Sequence, residues 1–247
     1  MVWGMPQPPL GGKFGPYNDF EGPVDNFGDG WRHRMVKHWV SQSDAERQRL
    51  QSYLSDEEVS YPYTVTKKFT EEWGKIPLGE RFTVTPLEPH EPFEFITLEK
   101  SFSELASIIN LSSGIWAVDA AVKDIFERFE PGIHNYHEIE IRMPRSKIYS
   151  GRFYVLIVQQ WIDGFAPEKS DASKFRTYNS NGLTWYGIHG EAGVIRNLAL
   201  RNGAIEHAHV WRDPAFAGKI LCLSDTIRAE LDSAGLLLPK HWKMKVV

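Results

Sequence analysis

Two segments of the chain read as one local pattern: a short amphipathic helix, a turn rich in Gly, Pro and His, then a short apolar strand. The first opens at Val118-Asp119, passes Phe129, Gly132 and His134, and enters a strand over 136–141. The second opens at Ser224-Asp225, passes Leu231, Gly235, Pro239 and His241, and enters a strand over 242–247. In the first, Val118, Ala121, Val122, Ile125, Phe126 and Phe129 recur at the helical period and form one apolar stripe. Asp119 suits the positive end of that helix, and Pro131-Gly132 stops it. In the second, Ile227, Leu231 and Ala234 share a side and Gly235 is the stop. A helix that must bury one stripe needs a sheet beneath it, so the pair frames the C-terminal half as an α+β unit.

The sheet is predicted from the remaining periodicities. Residues 152–161 are apolar on both faces, which places this strand centrally under cover. Strands are also predicted over 61–69, 80–85, 93–98, 183–188, 193–200 and 205–211, by alternation or short apolar runs. A short helix is predicted over 102–109. Ser43, followed three residues later by Glu46, is a capping-box pattern for a helix through Leu54. Crossover helices are too few for a doubly wound parallel sheet. The expected fold class is α+β: a mixed, mainly antiparallel sheet with a few helices packed on it, plus an extended N-terminal arm. The arm is residues 1–30, dense in Gly, Pro and aromatics. Such a stretch excludes a regular helix or central strand; it is either packed on its own or a neighbouring subunit or partly disordered, and its aromatics favour packing. An N-terminal α+β part over 31–110 and a C-terminal part over 111–247 follow, or one compact domain over 31–247.

Charge and composition exclude several functions. A net charge of −4 gives no basic footprint for nucleic acid. No apolar run is long enough to span a bilayer, and Met1–Pro6 lacks the pattern of a secretory signal. The single cysteine, Cys222, lies in an apolar run and reads as a buried hydrophobe. A cytoplasmic address is the expectation.

No nucleophile elbow, phosphate loop or dinucleotide fingerprint occurs. His134, His137 and Glu138, or Glu206, His207 and His209, are ligand-type residues that a small hydrolase or transferase would have to gather in one pocket. The simpler reading is a turn histidine and the polar face of a strand, with no metal, cofactor or catalytic residue. Gly187–Gly193 reads as a hairpin turn. The loop carrying Glu88, Glu91 and Glu94 is stiffened by Pro86, Pro89 and Pro92. It is expected either to steer and contact a basic protein partner or to be a solvated loop. Asp56-Glu57-Glu58 and Glu71-Glu72 carry the same ambiguity.

Ile115–Asp119 opens a helix that Phe126–Gly132 closes, and His137–Ile141 is the strand that follows. Tyr154–Val158 leads to Trp161-Ile162-Asp163 and Glu168-Lys169-Ser170, and His209–Arg212 leads to Ile220–Asp225. In these segments the C-terminal half resembles the polymorphic-toxin immunity proteins, specifically their eleventh numbered family. The resemblance spans about residues 95–247. It implies a non-enzymatic protein that binds and neutralises a cognate toxin, and it supplies no catalytic residues. A homo-oligomeric scaffold exchanging the 1–30 arm is a further reading, compatible with that one.

Overall fold

The run read as a fully covered strand forms at Phe153–Ile157 and is buried at every position. The computed structural model describes residues 1–22, 29–50, 61–70, 86–180, 183–188, 192–216 and 219–247. Among them the helices are α1 (Asp29–Ser41), α2 (Asp44–Leu50), α3 (Tyr61–Thr70), α4 (Ala120–Phe129), α5 (Asn202–Ile205) and α6 (Asp225–Ser233). The strands are β1 (Val2–Pro6), β2 (Asn18–Phe20), β3 (Phe95–Leu98), β4 (Ile108–Asn110), β5 (Trp116–Asp119), β6 (Asn135–Met143) and β7 (Lys147–Ile148). They continue with β8 (Phe153–Ile157), β9 (Phe175–Ser180), β10 (Leu183–Ile188), β11 (Ala199–Leu200), β12 (Val210–Arg212), β13 (Ile220–Ser224) and β14 (Trp242–Val246).

The larger sheet runs β2-β3-β6-β8-β5-β4, with β7 paired to β6; the second runs β11-β14-β1-β13-β12; β9 and β10 form a separate hairpin. Most pairings are antiparallel, and the class is α+β as expected. Each helix–turn–strand segment is extended by the strand before it. β5–α4–β6 flanks β8, which is antiparallel to both. β13–α6–β14 flanks β1 in the same way. Each helix is capped by the last residue of its leading strand. Val122 N donates to Asp119 Oδ1 at 2.9 Å, and Ile227 N to Ser224 Oγ at 3.3 Å. Gly132 and Gly235 follow the two helices with φ +66°, a left-handed conformation that side-chain-bearing residues rarely adopt.

Alternation along the strands distributes the cores. Phe153, Val155 and Ile157 join α1 and α3 (Trp31, Met35, Val65, Phe69) on one face. Tyr154 and Leu156 face Val122 and Phe126 of α4, in a cluster that continues to Met5, Leu221, Leu223, Ile227 and Leu231. Val2, Ile220 and Cys222 turn to a third cluster with Trp211 and Phe216. Cys222 is buried as read, and burial pushes its thiol pKa up.

Several local expectations give way to tertiary context. Residues 61–70 are helical: Tyr61, Val65 and Phe69 recur every four residues, and Pro62 fits a first turn, where its missing N–H costs nothing. The predicted strand over 80–85 lies outside the described residues. No helix forms over 102–109; an irregular stretch ends in β4. Val118 belongs to β5, so α4 starts at Ala120. Residues 192–197 are a 3-10 turn before the two-residue β11, and the segment read as a strand over 205–211 contains the end of α5 and only the start of β12. Val2–Pro6, excluded above from a central strand, is the middle strand of five. Its prolines begin only at its end. Gly4 lets the strand lie close under its cover: a Cβ there would meet Met244 Sδ at 2.7 Å and Ile195 Cδ1 at 2.9 Å. The described part of the arm, residues 1–22, thus contributes a strand packed on its own chain.

Candidate functional site

The proline-punctuated loop is fixed from beneath by α1 and α3. Arg34 of α1 forms a two-pronged pair with Glu21 (2.9 and 2.8 Å) and donates to the carbonyls of His90 and Pro92. Trp31 Nε1 donates to the Glu91 carbonyl at 2.7 Å. The Glu91 side chain is fully buried. Its carboxylate receives Lys68 Nζ at 2.6 and 2.8 Å, Tyr61 Oη at 2.9 Å and the Glu88 N–H at 2.7 Å. Glu91 therefore is no contact residue on the surface: a buried charge needs partners, and this one has its own. Glu88 pairs with Arg49 at 2.8 Å, and the Arg49 hydrogen bond holds its carboxyl below the usual range. Glu94 is exposed, and its N–H donates to Glu21 Oε1 at 2.8 Å. Arg49, Lys68 and Arg34 are far from the loop in sequence, so the loop is less anionic than its own residues imply. The His90 ring stacks on His38 with centroids 3.6 Å apart and meets Tyr61 Oη at 2.7 Å. Burial, then the neighbouring His38, lowers the His90 pKa. Asp56-Glu57-Glu58 and Glu71-Glu72 lie outside the described residues.

The His and Glu groups do not assemble into one pocket. His134 is buried, with Nε2 2.8 Å from Glu130 Oε2. Glu130 also accepts from Gln160 Nε2 at 2.5 Å, from His209 N at 2.7 Å and from Val210 N at 3.0 Å. Burial alone would raise the Glu130 pKa; the bonds from His134, the His209 N–H and Gln160 outweigh it and lower it. His137 and Glu138 are successive residues of β6 and so point to opposite faces. His137 is half-buried, which lowers its pKa, while Glu138 is exposed and pairs with Arg152 at 2.9 Å. Glu206 and His207 are exposed beyond α5, and His209 Nδ1 lies 2.9 Å from Ser224 Oγ. His207 and His209 thus do not share a strand face, because only Val210–Arg212 is extended. Among the described residues, no three His, Cys, Asp or Glu side chains gather as metal ligands. Gly187 is the next-to-last residue of β10 and Gly193 lies in the following 3-10 turn; β10 pairs backward with β9, so this segment is not the turn of that hairpin. Residues 189–191 of that segment lie outside the described residues.

Glu130 escapes sequence reading because, His134 apart, its partners come from two distant segments, at Gln160 and at His209-Val210. It also joins two segments that carried the resemblance, Phe126–Gly132 and His209–Arg212. The outer edge of β12 is completed by the same neighbourhood. The Val210 carbonyl accepts from Gln160 Nε2, Arg212 N donates to the Gln160 carbonyl at 2.9 Å, and Ile162 N donates to the Arg212 carbonyl at 2.9 Å.

Two clefts open on the second sheet's side. One, of about 550 Å³, lies against the β9–β10 hairpin and is lined by Tyr178, Trp185 and Phe216. The other, of about 710 Å³, runs along β14 and is lined by Trp3, Arg196, His241, Trp242, Lys243 and Lys245, among others. No helix among the described residues is long and apolar enough to cross a membrane.

Residues 35–245 match the family described as the Immunity protein family (Imm11), which extends the likeness well upstream of residue 95 and takes in the second half of α1 and all of α3. No curated protein matches. Most of the chain is covered by the family, and the chain belongs to the Imm11 immunity protein family.

Proposed function

We propose that this chain binds a cognate bacterial toxin and neutralises it without catalysis, in the cytoplasm of the producing cell. The observation that supports this reading is the family match over 35–245. The dispersal of the His and Glu groups agrees with it, since their geometry offers no shared acid–base or metal centre. Within this reading the rim of the 86–94 loop, the half-buried Glu88 and the exposed Glu94, contacts a basic part of the toxin, and Glu91 with Lys68 keeps that rim rigid. A rigid rim lowers the ordering cost of binding.

The test is co-expression with the toxin encoded beside the gene. The expected outcome is growth rescue together with a stable complex of the two proteins in size-exclusion chromatography. Rescue without a complex, or a complex without rescue, would reject the reading. E88K/E94K is expected to weaken the complex by roughly tenfold or less, the range of a rim charge.

A further inference from the structure

The cleft along β14 differs in charge from the rest of the molecule. The whole chain is net −4, yet the cleft's lining contains three exposed cations, Arg196, Lys243 and Lys245, and, among the described residues, no carboxylate. None of the three forms an ion pair with a described residue; Asp171 lies near enough to feel the charge of Lys245. The alternation of β14 sets Lys243 and Lys245 on one face, about 7 Å apart along the strand. Trp3 of β1 sits directly opposite Lys243. It is held in place: its Nε1 donates to Asp225 Oδ1 at 2.9 Å, its ring meets His241 edge-on at 5.6 Å, and Arg228 lies 5.2 Å above it. An aromatic side chain already fixed beside cations that a partner can cover is the usual composition of a binding hot spot.

We infer that this cleft docks an extended acidic segment of the toxin, with carboxylates at alternate positions meeting Lys243 and Lys245 and an apolar side chain on Trp3. Alternate side chains of an extended strand have the same spacing as the two lysines. The inference rests on the toxin-binding reading for the partner's identity, while the cleft's chemistry stands on its own. A long polyanion fits less well, because the acidic remainder of the surface repels it.

A fluorescein-labelled peptide of alternating glutamate and threonine is the probe, titrated by anisotropy at low salt into the full chain, K243E/K245E and K100E. The expected result is saturable binding to the wild type that weakens with added salt. K243E/K245E should weaken it by about tenfold or more and K100E should leave it unchanged, with circular dichroism showing both variants folded. No saturable binding, equal binding by K243E/K245E, or tighter binding of single-stranded oligothymidine would overturn the inference. The same variants are then titrated with the toxin. If toxin binds wild type and K243E/K245E equally, the cleft proposal fails and the immunity reading stands. If toxin does not bind the wild type, the immunity reading fails and the peptide titration still decides the cleft.

Discussion

The two strand–helix–strand units share their geometry and differ in where the middle strand comes from. β5–α4–β6 receives β8, the next long strand in the chain. β13–α6–β14 receives β1, from the opposite end of the sequence. The caps and the post-helical glycines match, so local sequence specifies both outer frames alike. The middle strand closes a short loop in one case and nearly the whole chain in the other. Long closures cost more entropy and slow formation. The first unit is therefore expected to form early and the second to wait for the N-terminus.

The strongest way to break this comparison is to delete residues 1–6. The second unit should lose hydrogen-exchange protection throughout β13, α6 and β14, while β5, α4, β6 and β8 stay protected. Simultaneous loss in both units would show that they fold as one body. Next in size is E130Q, which places an amide against four donors. It should cost about 3 kcal/mol in urea denaturation, the range for breaking a buried charged network. The two caps sharpen the comparison at a smaller scale: D119A and S224A should each cost about 1 kcal/mol, with D119A the larger because its charge also meets the helix dipole. Smaller again is the pair between Arg128 of α4 and Glu230 of α6, partly exposed on both sides. Its double-mutant coupling should be below about 1 kcal/mol.

The two units also titrate alike. His137 of β6 and His241 beside α6 both have pKa values lowered by burial. Their folded values lie below the unfolded one, so their contribution is complete above about pH 6.5 and is lost as pH falls through the folded values. Glu130, also lowered, adds a further loss below about pH 4.5. Urea midpoints should fall as pH drops from 7 to 5, and H137N/H241N should flatten that slope. An unchanged midpoint would remove both histidines from the account.

What was legible in the sequence was what local chemistry decides. The unbroken apolar run at Phe153–Ile157, the stripes of α4 and α6, Asp119 and Ser224 at the helix starts and the glycines after them are each set by neighbours a few residues away. α3 was not legible, because Thr64, Val65, Thr66 and Thr70 favour a strand by propensity while the Tyr61, Val65, Phe69 stripe finds a helical site against Trp31. β1 was hidden by the glycines and prolines around it, though the five residues themselves can pair. At the loop, acidity was legible and availability was not: Glu91 and Glu94 look alike until Lys68 is brought against one of them. The cationic cleft needed β1, β14 and the 192–197 turn together, three segments that no window of sequence joins.

The closed edge of β12 has a consequence of its own. A strand at the border of a sheet offers a row of free amides that can template growth by another chain. Here a carboxylate, a glutamine side chain and the residues after β8 stand where a neighbouring strand would be. Removing Glu130 thus uncovers part of a pairing surface as well as weakening the fold. A protein that acts as the proposed function has it must stay dispersed until its toxin arrives, and the hydrogen bonds that β12 makes with Glu130 and Gln160 favour that state.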